Sequence, residues 1–336
     1  MINNIETSVK KTINSESKTF NSLFKMDVLK GLSSHPKFLS SKYFYDKKGD
    51  ALFVKIMNMP EYYLTNSEYD IFKNKTEALV HGLDINKNTD FDLIELGAGD
   101  GMKTKELLKY LDRENYQFTF IPVDISQNAL NNLETSLNEE LPHLSIETKQ
   151  GDYFHVLEDI KTLPKPKVIL FLGSNIGNLN DDQARKFMLK LSNTLHKNDK
   201  IVLGIDLIKS EDIVLPAYND EQGITKQFNL NILARMNREL DADFDLNAFT
   251  HSPKYNEEEG IAESFLVSKI DQTVRIKVLD MTFNFYKNET IHTEISRKYN
   301  DSILEHILEH TDLNVKDKLT DSKNYFADYI LNKSNH

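Results

Sequence analysis

The chain contains no cysteine. Disulfides, thiolate nucleophiles and cysteine-ligated zinc are therefore excluded, and the absence suits a reducing compartment. Long apolar runs are also missing: none approaches the ~18 residues that a membrane-spanning helix needs. Residues Met1–Phe20 are polar and rich in Ser, Asn and Lys, with no apolar stretch of signal-peptide length, so a cytoplasmic protein is expected. Positive charge is in deficit. Lys and Arg number 41 against 52 Asp and Glu, a formal net charge of −11, which argues against a nucleic-acid partner. No basic stripe offsets that balance; the lysines of Lys161–Lys167 sit beside prolines and read as a solvated loop. There is no internal repeat and no low-complexity tract. What is left is globular material: 336 residues, 39% hydrophobic and 28% charged, enough for two domains or one large α/β domain with an insertion.

The most informative stretch is Ile94-Glu95-Leu96-Gly97-Ala98-Gly99-Asp100-Gly101-Met102-Lys103-Thr104. The apolar run Phe91–Leu96 predicts a buried strand, and Lys103–Leu111 a helix. A strand that feeds a glycine turn and then a helix is how a doubly wound α/β sheet makes a nucleotide site. The pattern is E-x-G-x-G-x-G, with an acid before the turn, rather than the G-x-G-x-x-G of dinucleotide sites. It suits a cationic cofactor without a pyrophosphate, such as S-adenosylmethionine. An ordinary strand–helix turn is the plain alternative.

Further strands are predicted at Phe118–Val123, Leu144–Lys149, Val168–Leu172 and Ile201–Ile208, with helices at Gln127–Leu137 and Asp181–Leu195 between them. That alternation argues a parallel sheet covered on both faces. Before it, a short helix is expected near Phe20–Leu32, with helical periodicity at 51–58 and 66–82. After it the rhythm changes. Leu215–Leu240 reads mostly as helix and Asp241–Glu259 as loop. Ala262–Lys269 and Thr273–Phe285 read as strands. Glu289–Tyr299, a helix at Ser302–His310 and a last strand at Tyr325–Leu331 are expected to return to the sheet. The expected organisation is 1–65 as the first part of a substrate domain, 66–208 as the core, 209–294 as a substrate-domain insertion, and 295–336 as completion of the core sheet.

Candidate cofactor groups fall at the carboxyl ends of successive strands. Asp124 ends Phe118–Val123 about where a ribose-binding acid belongs, and a carboxylate accepts from both ribose hydroxyls. Gly151-Asp152-Tyr153 offers an acid for the adenine amine and an aromatic to cover the ring. Gly173 opens the loop that runs on through Asn178, and Lys103 starts the first helix. Each acid alone could be a helix cap; Asp124 precedes Ser126, itself a capping type. The candidate substrate groups are aromatic. Tyr45, Phe53 and Tyr62 crowd the segment before the core, where hydroxyls can meet a carboxylate or amine and ring faces favour a methylated ammonium. An ordinary subdomain core is the alternative there. Asn178 carries donors and acceptors and is placed to bridge an amine and a carboxylate. Glu294 and Ser296 alternate onto one strand face. No metal site is expected.

Longer motifs connect these residues. They are Tyr45-Asp46-x-x-Gly49, Leu52-Phe53, Pro60-Glu61-Tyr62-Tyr63-x-Thr65, Glu95-Leu96-Gly97-x-Gly99, Gly173-Ser174-x-Ile176-Gly177-Asn178, Ala217-Tyr218-x-Asp220, Asn237-Arg238-Glu239-Leu240-Asp241-Ala242-Asp243-Phe244 and Thr293-Glu294-x-Ser296. From about Lys42 onward the chain resembles the S-adenosylmethionine-dependent histidine Nα-methyltransferases of ergothioneine biosynthesis. The resemblance implies a Rossmann-like class I methyltransferase sheet with a discontinuous α+β substrate-binding domain. It implies that Tyr45, Gly97, Lys103, Asp124, Asp152 and Tyr153 contact the cofactor. Tyr62, Asn178 and Tyr218 would hold the amino-acid carboxylate and amine, Glu294 and Ser296 would bond the imidazole, and Phe53 would line the pocket. One departure stands out. Where the family carries a methionine near the substrate ring, this chain has Ser264, a smaller polar residue that reshapes the ring pocket.

The expected reaction is three successive methyl transfers to the α-amine of free L-histidine, giving hercynine, by a monomeric enzyme. No dedicated base is evident, so Tyr45 is the candidate proton relay and Asn178 the candidate amine holder. Two alternatives remain at this point: an α-N-methyltransferase for tryptophan or tyrosine, suggested by Ser264, and a silent regulatory protein that binds S-adenosylmethionine.

Overall fold

The computed structural model describes residues 22–333, without the side chains of residues 153–155. The chain divides into two compact units. One comprises Val54–Tyr218, Tyr255–Ala262 and the chain from Ile295; the other comprises the chain up to Phe53, Asn219–Lys254 and Glu263–Glu294. Residues 54–65 and 209–218, expected with the substrate domain, therefore cluster with the core.

The core unit holds an eight-stranded sheet. Its strands are β1 (Phe91–Leu96), β2 (Phe118–Asp124), β3 (Ser145–Ile146), β4 (Lys149–Gln150), β5 (Lys167–Phe171), β6 (Lys200–Asp206), β7 (Leu313–Thr320) and β8 (Phe326–Lys333). The order is β7-β8-β6-β5-β1-β2-β3, with β4 also on β2. Strands β1 to β6 pair in parallel, while β8 runs antiparallel to both β6 and β7. The chain winds outward from β1 to β3 and then crosses back to β5, so the topological switch point lies between β1 and β5. Ligands bind outside the carboxyl ends of the strands at such a point.

Alternation explains the two covered faces. Leu93, Phe120, Leu170 and Val202 meet Leu107, Leu108 and Leu111 of the helix Thr104–Arg113 and Phe72 of the helix Tyr63–Asn74. Their neighbours Ile94, Ile121, Ile169 and Leu203 meet Phe187, Met188 and Leu191 of the helix Asp181–Thr194. Both faces are apolar, as a parallel sheet requires.

The late elements correct several expectations. Glu289–Tyr299 does not join the core sheet: its strand, Thr290–Arg297, pairs in parallel with Lys37–Phe38 in a separate four-stranded sheet. The strand pair that completes the core is instead β7 and β8. β7 escapes sequence reading because Asn314, Lys316 and Lys318 give it the look of a loop, and charge is what an exposed edge strand carries. The expected loop Asp241–Glu259 contains the strand Phe249–Asn256, which lies at the edge of that second sheet, a position that tolerates Pro253. The expected single strand Thr273–Phe285 is a hairpin, Gln272–Ile276 with Met281–Phe285, because Asp280 turns the chain at φ +50. The helix expected over 66–82 is two helices that break at Lys75, Tyr63–Asn74 and Thr76–Leu83. The helix expected over Leu215–Leu240 begins only at Ile224, where both Asp220 oxygens accept the first free N–H groups. The helix expected near 20–32 runs over 22–33, and its first expected residues lie outside the described ones.

Candidate active site

The turn after β1 is built on left-handed backbone. Gly97, Gly99 and Gly101 have φ of +79, +55 and +66, a region that costs other residues strain. A Cβ at Gly99 would meet nothing within 4 Å, so the turn presents open backbone there. Asp124, at the end of β2, is tied into the turn: its carboxylate accepts from Gly99 N–H at 3.0 Å and Ser126 N–H at 2.8 Å. Burial pushes its pKa up against the pull of these bonds. Asp124 is not the helix cap; Ser126 is, accepting from Ala129 N–H. Asp152 lies just ahead of the helix Tyr153–Lys161, and Gly151 N–H donates to Asp124 O at 2.9 Å. The Tyr153 side chain lies outside the described ones.

Next to the switch point lies a buried cluster rich in acids. Glu68, from the helix Tyr63–Asn74, accepts from Gly173 N–H at 2.9 Å and from the Lys103 ammonium. Asp328 on β8 is paired in register with Gly204 on β6. Burial first, and then the Glu68 charge, hold its carboxyl well above the usual range. Glu95 on β1 takes the Thr104 hydroxyl at 2.7 Å, and burial pushes its pKa up to about 8. Burial works against the charge of Lys103, but Glu68, Glu95 and Asp328 outweigh it and keep the ammonium pKa raised. Gly204 makes the room: a Cβ there would collide with Glu68 Oε1 and lie 2.9 Å from Asp328 Oδ1.

A second buried cluster, two residues further along β6, has the opposite balance. Asp206 pairs with both Lys209 and Lys298, the latter at 2.8 Å, and accepts the Tyr63 hydroxyl at 2.7 Å. Asp206 and Lys298 have no exposed side-chain surface. Lys298 also donates to the Tyr218 hydroxyl at 2.7 Å and to Ser296 Oγ at 2.9 Å, and the Tyr218 hydroxyl donates to Ser296 Oγ at 2.7 Å. The backbone sets this up, since Tyr299 N–H donates to Asp206 O at 2.8 Å. Burial, and then the second ammonium, push the Lys209 pKa down despite Asp206. Burial with Asp206 beside it raises the Tyr63 hydroxyl well above its ordinary value.

The loop after β5 touches both clusters. Gly173 and Ser174 are both left-handed, at φ +72 and +56, and Ser174 Oγ accepts from Asp206 N–H at 3.1 Å. Asn178 ends the short turn Asn175–Asn178 and is exposed. Gly177 is needed for close approach, because a Cβ there would meet Arg297 O at 2.7 Å. Tyr62, immediately before the helix Tyr63–Asn74, is half-buried.

In the other unit Tyr45, Phe53 and Phe228 form an aromatic triangle, with ring centroids 5.4 to 5.8 Å apart. Asp46 steadies it by accepting from Gly49 N–H, Asn231 and Arg238. Those bonds outweigh burial and lower its pKa. Ser264 is fully buried, and its hydroxyl donates to Glu294 Oε2 at 3.1 Å. Thr293 beneath it bonds Asn229 and Ser264 O. Ser264, the residue expected to reshape the ring pocket, thus bonds the Glu294 carboxylate.

The structure ties Asp124 to the glycine turn through Gly99, joins Lys103 to Gly173 through Glu68, and links Tyr218 to Ser296. Sequence reasoning missed Phe228, Glu68, Asp206, Lys209 and Lys298. Only Lys298 left a signal, since it continues the alternation that places Glu294 and Ser296 on one face. Among the described residues no group of His, Asp and Glu is arranged to hold a metal, and no helix is long and apolar enough to cross a membrane.

Residues 24–333 match the family described as histidine-specific methyltransferase, SAM-dependent. The histidine N-alpha-methyltransferase of Mycolicibacterium smegmatis (strain ATCC 700084 / mc(2)155) is 36% identical over 273 residues, covering 81% of this chain and 83% of that protein. That of Mycobacterium tuberculosis (strain CDC 1551 / Oshkosh) is 35% identical over the same shares. Ergothioneine biosynthesis protein 1 of Schizosaccharomyces pombe (strain 972 / ATCC 24843) is 29% identical over 88% of this chain and 39% of that protein.

Proposed function

This chain belongs to the family of S-adenosylmethionine-dependent, histidine-specific methyltransferases, and from that premise we propose that it trimethylates the α-amine of free L-histidine to hercynine. The observation that carries the reading is 36% identity over 81% of the chain to a histidine N-alpha-methyltransferase. The residues fit the cofactor. Asp124 ends β2 with its carboxylate on the glycine turn, and that turn leaves open backbone at Gly99.

S-Adenosylmethionine supplies an electrophilic methyl carbon on a sulfonium. The amine lone pair would form the new N–C bond as the C–S bond breaks, so one ammonium proton must leave the nitrogen before each of the three transfers. In this reading Gly97, Lys103, Asp124, Asp152, Tyr153 and Gly173 hold the cofactor. Tyr62, Asn178 and Tyr218 hold the amino-acid head, with Phe53 against it. Tyr45 relays the proton and Asn178 aims the amine. Glu294 accepts the imidazole N–H, and the hydrogen bond from Ser264 supports that role by fixing the carboxylate. Acceleration comes mostly from holding amine and methyl carbon in line, an effect worth ~7–11 kcal/mol in favourable cases. Mass spectrometry of L-histidine incubated with enzyme and S-adenosylmethionine tests the proposal. Stepwise gain of three methyl groups on the α-nitrogen is expected; an unchanged histidine mass would reject it.

A further inference from the structure

Lys298 follows the strand Thr290–Arg297, and its ammonium has three N–H bonds to give. Three buried acceptors meet it: Asp206 Oδ2 at 2.8 Å, the Tyr218 hydroxyl at 2.7 Å and Ser296 Oγ at 2.9 Å. The Tyr218 oxygen, which accepts from Lys298, turns its own proton to Ser296 Oγ at 2.7 Å. Ser296 Oγ therefore accepts twice, from an ammonium and from a phenol. A hydroxyl oxygen has two lone pairs, so only its own O–H remains for a ligand.

We infer that Lys298, anchored by Asp206, is a positioning residue that makes Ser296 an obligate hydrogen-bond donor, so that the site takes the neutral imidazole of its substrate and rejects imidazolium. The inference rests on the proposed reading in which Ser296 meets the ring. A neutral imidazole carries one N–H and one bare nitrogen. The Glu294 carboxylate takes the N–H, and the Ser296 O–H takes the bare nitrogen. Imidazolium carries two N–H groups and would turn one of them onto a donor proton backed by the Lys298 charge. That opposes the pull of Glu294.

The charged and titratable groups around Lys298 are Asp206 and Lys209 from the end of β6, Tyr63 from its helix, Tyr218, and Tyr255. None is a histidine. On the strand itself lie Glu294 and His292; burial holds the His292 pKa below its ordinary value, with Glu263 beside it.

The probe is hercynine, whose quaternary nitrogen has no proton to lose, so its ring alone titrates near neutrality. Its affinity for the full-length enzyme with S-adenosylhomocysteine is measured by calorimetry at about pH 7.5 and about pH 5.5, between which the neutral fraction of a ring with pKa ~6.5 falls about tenfold. Wild-type affinity falls by about that factor, whereas the triazole analogue of hercynine, neutral throughout, shows no change. In Lys298→Met, Ser296 Oγ regains a lone pair and the loss shrinks to about twofold or less. Wild-type hercynine affinity that is equal at the two pH values, or a full tenfold loss retained in Lys298→Met, overturns the inference. If that variant does not fold, ring-15N hercynine bound to wild type decides the matter: neutral-ring shifts at the lower pH support it, and imidazolium shifts overturn it. An enzyme that neither binds hercynine nor methylates histidine overturns the functional reading and this inference with it; binding that ignores pH overturns the inference alone.

Discussion

Two half-buried lysines of the core unit, Lys103 and Lys209, are pushed in opposite directions. Both lose solvation, which disfavours an ammonium. Lys103 is surrounded by Glu68, Glu95 and Asp328 and keeps its charge more tightly than it would in water. Lys209 shares the single carboxylate of Asp206 with Lys298 and holds its charge less tightly. Three acids to one cation and two cations to one acid thus stand on one face of β6, at Gly204 and Asp206. The second balance suits an anionic group, whereas in the first burial raises Glu95 and Asp328 toward their neutral forms and leaves Glu68 paired with Lys103. What burial does to a charge is decided by its neighbours, and one strand carries both outcomes.

The comparison is most easily broken by two isosteric changes. Asp206→Asn removes the carboxylate that pairs with both Lys209 and Lys298 and should cost ~3–5 kcal/mol of stability. Asp328→Asn replaces a carboxyl whose pKa burial holds well above its ordinary value, and should cost under ~1 kcal/mol by the same chemical denaturation. Similar losses in the two would show that the clusters do not differ in charge balance. Next in size is the pH dependence of Glu95. Its folded pKa of about 8 lies above the unfolded value of about 4.3, so the native state binds the extra proton. Its stabilising contribution is complete below about pH 4.3 and is lost as pH rises toward about 8, at up to ~1.4 kcal/mol per unit. Glu95→Gln should flatten that decline, and stability curves measured across this range check it. Gly204→Ala comes third: its methyl presses on Glu68 and Asp328 and should destabilise by ~1–3 kcal/mol, seen as a lower midpoint of unfolding. Smallest is Ser264→Ala, outside both clusters. It loses one hydrogen bond to Glu294, worth ~0.5–1.5 kcal/mol, and should raise the KM for histidine while leaving cofactor affinity unchanged.

The parts of this picture that sequence revealed are the local ones. The E-x-G-x-G-x-G turn and Asp124 announce themselves because strand, glycine and acid are close neighbours in the chain. The carboxyl ends of parallel strands bring them together by topology alone. Glu68, Asp206 and Asp328 are different. Glu68 meets Gly173 across 105 residues and Tyr63 meets Asp206 across 143, separations for which periodicity holds no information. β7 was hidden by the charges that an exposed edge favours. Ser264 was legible as a departure, but its hydrogen bond to Glu294 needed the neighbouring strand.

The central claim is that the site reads an imidazole on a free amino acid. Methyl transfer from S-adenosylmethionine to L-histidine, L-tryptophan and L-tyrosine, compared as kcat/KM in one assay, tests it most directly. A site that hydrogen-bonds both ring nitrogens should favour histidine by on the order of 10⁴. Comparable values for the three amino acids, or a preference for tryptophan or tyrosine, would contradict it.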